Sequence, residues 1–319
     1  MRALVTGADG FVGQWLVRAL LDESATVTGI IRGETPTLTT LEPATAARVG
    51  WRRCDLADAQ TLRSLVRESE PNAVFHLAAQ SSVPEGQRDP LTTIETNVLG
   101  TVRLLESVHK DARDAAVVVV GSSDAYGTVK ETELPLSEDA PLRPNNAYAA
   151  SKAAAEIVAL QFARSGFVRA VATRSFNHTG PGQSPTFAVS SFAKQIAAAK
   201  HRGGSQEIVV GDLSPRRDIC DVRDVAAAYV GLARSGKVGH VYNVCSGKDL
   251  SMREVVDELA RIAAVDVQIR RDPKLLRPVD TPRLRGDPAR IAADTGWHAS
   301  IPLTTTLSDL LEFYTRELA

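Results

Sequence analysis

The chain has 319 residues, of which 44% are hydrophobic and 24% charged, the composition of an ordinary globular protein. Its 37 basic and 38 acidic side chains leave a net charge of -1, which excludes a broad basic surface for sequence-independent nucleic-acid binding. Cys54, Cys220 and Cys245 are widely separated, a spacing that predicts neither a disulfide framework nor a metal site. Asp9 interrupts the first apolar run too early for a secretory signal, and no apolar stretch reaches the about 18 residues of a membrane helix, so we expect a cytoplasmic protein without a membrane partner.

Short apolar runs alternate with helical patterns through the first half of the chain. The predicted strands are rich in valine and isoleucine and cover residues 3–6, 26–31, 74–77, 115–120 and 168–173. The predicted helices between them cover residues 12–21, 62–68, 94–108 and 148–164. Continuous apolar strands separated by helices are typical of a parallel sheet covered on both faces. The sequence therefore predicts an α/β fold with a doubly wound parallel sheet, of the Rossmann type.

The pattern changes after residue 174, where glycine, proline and serine cluster at residues 180–185. Further predicted elements are helices at 189–200 and 252–263 and strands at 207–211 and 240–244, followed by an arginine- and proline-rich loop at 270–288. We expect residues 1–174, with about 223–245 returning to them, to form a dinucleotide-binding domain. Residues 175–222 and 246–319 are then expected to form a smaller C-terminal lobe for the substrate.

Gly7, Gly10 and Gly13 follow the first predicted strand and open the first predicted helix, with Phe11 and Val12 between them. Glycines allow a tight turn and the close approach of a pyrophosphate, and the N–H groups of the helix N-terminus attract the anion. Three glycines can also serve the turn alone. Their position at the first strand-to-helix junction of an α/β chain favours a dinucleotide site.

The second predicted strand is followed by Arg32, where NAD-binding proteins carry an acidic residue for the ribose hydroxyls. Arg32 can pair with a 2′-phosphate, whereas Glu34 comes after the strand and is expected in solvent. The missing acid favours NADP(H). The alternative is that Arg32 is only a solvated charge.

Tyr148 and Lys152 are four residues apart, so a helix places them on one face. A lysine charge ~5 Å from the phenol at an effective dielectric of 20 is worth about 3 kcal/mol, which is expected to bring the pKa of the phenol from near 10 toward neutrality. Ser122, Ser123 and Asp124 follow a buried-strand pattern at the carboxyl edge of the predicted sheet, where such folds bind ligands. This context favours a proton-exchanging pair over two solvated side chains.

These motifs resemble those of the extended short-chain dehydrogenase/reductases that act on nucleotide sugars. The resemblance also covers Asp55-Leu56, residues 76–79 and Asn97 with Gly100 and Thr101, in the family's order. It implies that Ser122 holds the C4 oxygen of the sugar, that Tyr148 exchanges its proton and that Lys152 binds the nicotinamide ribose. Asp124 is the fourth catalytic candidate. The remaining cofactor residues that it implies are Asp55, Leu56, Leu77, Ala78 and Ala79, next to the glycine loop and Arg32. The alternatives are a turn cap for Asp55, a core histidine for His76 and a structural bridge for Asn97.

Residues 174–183, 192–196, 217–224 and 276–280 resemble the GDP-4-keto-6-deoxy-D-mannose reductases within that family. The substrate-binding residues that this implies are Ser82, Ser123, Asn177, Lys194, Arg217, Arg277 and Asp280. Guanidinium groups bind a diphosphate bidentately, the role implied for Arg217 and Arg277, and Asp280 would take the ribose hydroxyls. The alternative is that Arg216, Arg217 and Arg223 form a solvated basic loop.

The resemblance implies NADPH-dependent reduction of the C4 ketone of GDP-4-keto-6-deoxy-D-mannose to GDP-D-rhamnose. The alternatives are a nucleotide-sugar 4,6-dehydratase of the GDP-mannose type or a 4-epimerase. Dehydratases of the family have Glu two residues after the catalytic hydroxyl, where this chain has Asp124, and their Gly-Gln-Asp-Gly loop is absent, which favours the reductase. A non-catalytic NADP-binding sensor ranks last because Ser122, Tyr148 and Lys152 are all present.

We also expect a homodimer, since related enzymes pair through the helices predicted at 94–108 and 148–164. Both helices have apolar residues beyond the needs of one sheet contact, namely Val98, Leu104, Leu105, Val108, Ile157, Val158 and Leu160. The alternative is that all of them face the core.

Overall fold

The computed structural model describes residues 1–203, 206–276 and 281–318. The strands are β1 Arg2–Thr6, β2 Thr26–Ile31, β3 Val49–Arg53, β4 Ala73–His76, β5 Ala116–Ser122, β6 Arg169–Ser175, β7 Asn177–Thr179, β8 Gln206–Val210, β9 Arg216–Asp221, β10 Val241–Val244, β11 Asp249–Ser251, β12 Val267–Arg271 and β13 Arg283–Leu284. The helices are α1 Phe11–Asp22, α2 Pro43–Ala46, α3 Ala59–Ser69, α4 Val83–Arg88, α5 Pro90–Ile94, α6 Gly100–Asp111, α7 Ala147–Arg164, α8 Ala188–Arg202, α9 Val222–Ser235, α10 Met252–Ala263, α11 Ala289–Thr295 and α12 Leu303–Glu317.

Seven strands of the described chain form one sheet in the order β10-β6-β5-β4-β1-β2-β3. Every neighbouring pair in this sheet is parallel. The chain returns to the sheet after α9, because β10 pairs with β6 at its edge. The predicted doubly wound α/β fold is confirmed, and the order of the strands reverses between β1 and β4, where such folds bind ligands.

Helices cover both faces of this sheet, which explains why its strands are apolar at consecutive positions. Helices α1 and α9 pack on one face, against a core that includes Val5, Phe75 and Val118. Helices α3, α6 and α7 pack on the other face, where Leu4 and Val74 belong to a second core. The carboxyl ends of β1, β4 and β5 remain between the two helical layers.

The C-terminal residues build a smaller unit with its own core. Strands β11, β9 and β13 form a short sheet that β7 joins by pairing with β9, and β12 pairs with β8. Helices α8, α10 and α12 enclose Ile196, Val255 and Leu310, which are fully buried. No helix in the described ranges is both long and apolar enough to span a bilayer.

The helix predicted at 94–108 is helical at every residue, but it contains a π-helical turn that the sequence pattern did not predict. Its sequence forms the end of α5, a π-helical turn at Glu95–Leu99 and most of α6.

The surface predicted for a dimer needs correction. Leu104, Leu105 and Val108 are fully buried in the core shared with α3, and Leu160 is buried as well, whereas Ile157 is 60% exposed; Val98 and Val158 are partly buried.

A buried ion pair joins α7 to β6. The guanidinium of Arg174 donates to both carboxylate oxygens of Glu156, at 2.8 and 2.7 Å, and to the carbonyl of Glu138 at 2.9 Å. Both side chains of the pair are at most 5% exposed. Breaking such a pair by removing one partner leaves an uncompensated charge in the interior.

Glu156→Ala is therefore expected to lower the free energy of unfolding by about 3–5 kcal/mol. The exposed pair of Arg253 and Asp257 on α10 provides the control, since Asp257→Ala should cost less than about 0.5 kcal/mol. Denaturant unfolding of both variants measures the difference. Equal losses would contradict a structural role for the buried pair.

Candidate active site

Ser122, Tyr148 and Lys152 come together at the carboxyl end of β5. Ser122 is the last residue of β5, and Tyr148 lies in the first turn of α7, which follows the cap residue Asn146. The Asn146 side chain accepts from the Ala149 N–H at 2.9 Å, so the helix is fixed just before the tyrosine. The ammonium of Lys152 is buried and donates to the carbonyl of Val120 in β5 at 2.7 Å.

The expectation that Lys152 brings the pKa of Tyr148 toward neutrality is wrong for this structure. Burial raises the pKa of the phenol above its usual value near 10, and the negative charge of Asp124 raises it further. A hydrogen bond with Ser122 acts in the opposite direction but does not offset burial. Tyr148 is therefore protonated at neutral pH.

Burial also affects the lysine. It disfavours the charged ammonium and lowers the pKa of Lys152 from 10.5 to about 8. The ammonium is the major form at neutral pH and is lost as the pH rises through that value.

The Asn97 side chain links three segments around the site. It accepts from the Gln80 N–H at 2.8 Å and donates to the Gln80 carbonyl and to the Ser151 hydroxyl, which itself donates to the Tyr148 carbonyl. Asn97 thus bridges the loop after β4 to the first turn of α7 from within the π-helical turn. This agrees with the structural alternative for Asn97.

His76 is a buried histidine with both ring nitrogens satisfied. Its Nδ1 lies 2.8 Å from Thr6 Oγ1, and its Nε2 lies 3.0 Å from Thr101 Oγ1. Because the Thr101 hydroxyl donates to the Asn97 carbonyl, it accepts from Nε2–H, and the Thr6 hydroxyl donates to Nδ1. Burial and the charge of Lys152 lower the pKa of His76 to about 3, so the ring is neutral. The alternative of a core histidine is supported.

The glycine loop connects β1 to α1 with a geometry that suits a pyrophosphate. Gly7 has a φ of +69°, and a Cβ there would lie 2.9 Å from the Ala78 nitrogen; a Cβ on Gly13 would lie 2.1 Å from the Gly7 carbonyl oxygen. Gly10 caps α1 without a side chain, and the first turn, which contains Phe11 and Val12, has no acidic residue. The N-terminus of α1 therefore presents its N–H groups and no competing carboxylate, which fits the predicted dinucleotide.

Other predicted cofactor residues surround this loop. Leu77, Ala78 and Ala79 follow β4, and the Ala78 N–H donates to Thr6 Oγ1 at 3.2 Å. Leu56 is buried in the core, whereas Asp55 is exposed and accepts from the Ala57 N–H at 2.9 Å, as a turn cap does.

A cavity of about 340 Å³ opens beside the end of β2. It is lined by Arg32, Arg53, Cys54, Asp55, Asp58 and Thr61. Arg32 and Asp55, which are both predicted for the adenosine end of a dinucleotide, thus line the same cavity. Arg53, which we did not predict, also lines the cavity and pairs with Glu34.

The predicted substrate residues in the described ranges lie on several elements. Asn177 begins β7 and is exposed, and it pairs with Ile219 in β9, two residues from Arg217. Lys194 is an exposed residue of α8 whose Nζ lies 6.0 Å from the centre of the Tyr314 ring. Arg277 and Asp280 lie outside the described residues.

The two serines predicted for the substrate have different surroundings. Ser82 caps α4 by accepting from the Glu85 N–H at 3.3 Å and is exposed. Ser123 is only 3% exposed and begins the 3-10 turn Ser123–Tyr126, which follows β5.

The alternative of a solvated basic loop is wrong for Arg216 and Arg223. Arg216 pairs with Asp249, and Arg223 pairs with Asp221 and Asp309. In the described ranges, no cluster of histidine, cysteine and acidic residues has the arrangement of a metal site.

The GDP-mannose 4,6 dehydratase family matches residues 4–310. The chain belongs to this family. It is 38% identical to the GDP-6-deoxy-D-mannose reductase of Pseudomonas aeruginosa over 97% of this chain and 96% of that protein. It is 32% identical to a UDP-glucose 4-epimerase of Mycolicibacterium smegmatis over 98% of both chains. The structure of RMD from Pseudomonas aeruginosa complexed with NADPH matches with a TM-score of 0.84 and 35% identity, over 99% of this chain and 100% of that one. The predicted resemblance to nucleotide-sugar short-chain dehydrogenase/reductases is confirmed.

Proposed function

We propose that this protein is an NADP-dependent reductase that converts the C4 ketone of GDP-4-keto-6-deoxy-D-mannose to the alcohol of GDP-D-rhamnose. The proposal depends on one observation above all, the meeting of a protonated phenol, a serine hydroxyl and a buried ammonium at the carboxyl end of β5, in the same sheet that carries the glycine loop after β1. The similarity to a GDP-6-deoxy-D-mannose reductase over nearly the whole chain supports the same reaction.

Bound NADPH would supply the hydride. Ser122 and Tyr148 would donate hydrogen bonds to the ketone oxygen as negative charge develops there, and Tyr148 would then give up its proton to that oxygen. A raised pKa suits this direction, because the phenol holds its proton until a stronger base, the alkoxide, is present. The Lys152 ammonium would stabilise the phenolate that remains.

The two parts of the chain would divide the ligands between them. We propose that residues 1–174 and about 223–245 bind the cofactor, which is supported by the glycine loop and by the return of β10 to the large sheet. Residues 175–222 and 246–319 would bind the nucleotide sugar, with Asn177 and Arg217 toward the diphosphate. Arg277 and Asp280 would complete this site.

Dehydratases and epimerases share the family, so the reaction requires a direct test. With GDP-4-keto-6-deoxy-D-mannose and NADPH, the wild-type protein is expected to oxidise NADPH, measured by absorbance. Tyr148→Phe should lower kcat at least about 100-fold, because the proton donor is lost, while the affinity for NADPH stays within about twofold. Tyr242→Phe, which removes a hydroxyl bound to Asp294, is the control and should keep activity.

Formation of a 4-keto sugar from GDP-mannose would instead support the dehydratase. Turnover of UDP-glucose without net NADPH consumption would support the epimerase. Turnover of the UDP- or dTDP-linked keto sugar in preference to the GDP-linked one would contradict the assigned base.

The pH dependence should report Lys152. Because burial lowers its pKa to about 8, the charged form that stabilises the phenolate is lost above that pH, and kcat/KM is expected to fall there. Lys152→Arg keeps its charge to much higher pH, so the alkaline fall should vanish even where the activity is lower. If kcat/KM of Lys152→Arg still falls at the same alkaline pH, the fall belongs to a group other than Lys152.

We further propose a homodimer formed through α5, the π-helical turn and α7. The support is a set of exposed apolar residues on these packed elements, Leu91, Ile94, Leu99 and Ile157, of which Leu91 is 82% exposed. A patch of this kind on a folded chain is typical of a protein interface.

Light scattering should therefore give twice the chain mass of 34.2 kDa for the wild type. The double substitution Leu91→Glu with Ile157→Glu should give a monomer, because it buries two charges in the interface. Leu275→Glu, at an exposed leucine elsewhere, should remain dimeric. A monomeric wild type would exclude the dimer.

A further inference from the structure

The cavity beside β2 contains more charge than the sequence suggested. Arg32 and Arg53 are its two cations, and Asp55 and Asp58 are its two carboxylates. The carboxylates are tied to backbone N–H groups at the start of α3, Asp55 to Ala57 and Asp58 to Thr61. With Arg32 as the only cation, the cavity would be net negative and would repel a phosphate. The second guanidinium balances the two carboxylates that line the cavity, while Glu34, which pairs with Arg53, is not part of the lining.

The sheet fixes the position of Arg53 beside Arg32. Arg53 is the last residue of β3 and stands opposite Ile31, the residue before Arg32. The Cys54 N–H donates to the Ile31 carbonyl at 2.9 Å and extends the ladder past the end of the strands. Both arginines therefore leave neighbouring parallel strands at the same edge, where a 2′-phosphate of the adenosine ribose is bound in folds of this type.

The Glu34 carboxylate contacts the Arg53 guanidinium. The two groups form an ion pair whose side chains are 62% and 78% exposed, so water and salt screen it and it contributes little to stability. A 2′-phosphate has nearly two negative charges at neutral pH and accepts a bidentate guanidinium, so it competes successfully with one exposed carboxylate.

We propose that Arg53 is a second specificity-determining residue for the 2′-phosphate of NADP(H), and that Glu34 competes with the phosphate for its guanidinium. The inference rests on the proposed function only through the choice of cofactor. Arg32 alone would neutralise about half of the phosphate charge, and Arg53 would supply the rest. Selectivity against NAD(H) would then depend on two arginines, one after β2 and one at the end of β3.

The test is binding of NADPH and NADH to the full chain without a sugar, followed by fluorescence or calorimetry. Arg53→Ala is expected to weaken NADPH at least about tenfold, because a charge-assisted hydrogen-bonded contact is lost, and to change NADH less than about twofold. Arg52→Ala is the matched control. It removes the same charge from the neighbouring position of β3. The Arg52 guanidinium donates to the Trp51 carbonyl and does not line the cavity.

Glu34→Gln gives an independent readout with the opposite sign. Without the competing carboxylate, NADPH should bind up to about fivefold more tightly, with no change for NADH. In the Arg53→Ala background, most of that gain should disappear, because there is no guanidinium left to release.

The outcomes separate this inference from the proposed function. If Arg32→Ala weakens NADPH while Arg53→Ala behaves like Arg52→Ala, the role of Arg53 is overturned and the NADP-dependent function stands. Equal losses for NADPH and NADH in Arg53→Ala would overturn it too, since the contact would not be with the phosphate. A wild-type protein that binds NADH more tightly than NADPH would overturn both.

Discussion

The hydrogen bond from the Lys152 ammonium to the Val120 carbonyl links the two elements that form the site. Lys152 belongs to α7 and Val120 to β5, so this contact ties the helix to the end of the strand. Tyr148 is one turn earlier on the same helix face, so it is brought to Ser122, two residues after Val120. The packing of α7 on β5 and β6 and the buried ion pair of Arg174 with Glu156 hold the same helix in place.

Burial of Tyr148 and Lys152 determines the protonation state of both side chains. The sequence predicts a fall in the pKa of Tyr148, because the attraction of a nearby lysine charge is the one effect that the spacing reveals. The structure adds the desolvation of the phenol and the negative charge of Asp124, and both raise the pKa. The result is a proton donor that stays loaded at neutral pH, beside an ammonium whose own pKa is lowered to about 8. A phenol that is protonated at neutral pH can donate its proton to a carbonyl oxygen.

The fold was predictable because the interior strands of a parallel sheet are apolar at consecutive positions, and β2 and α10 have the bounds that the pattern indicated. Strand β3 was missed because it is an edge strand containing a glycine and two exposed arginines. The π-helical turn inside the helix predicted at 94–108 was missed because such a turn leaves no mark in apolar periodicity. Arg53 has no local signal at all, since its place in the cavity depends on its register with Ile31.

Helix α1 contacts both the loop after β2 and the segment after β7. The Gln14 carboxamide oxygen accepts from the N–H groups of Thr39 and Thr40, each at 2.9 Å, and thereby holds the loop after β2 against the glycine loop. One residue later, the Trp15 indole donates to the Pro181 carbonyl at 3.0 Å, in the segment that follows β7. The loop that continues from Arg32 and the segment that continues from Asn177 are thus attached to the same two turns of helix. Because one rigid element holds both, a cofactor bound at the glycine loop and a sugar nucleotide bound near β7 would meet in a fixed relation, which the transfer of a hydride between them requires.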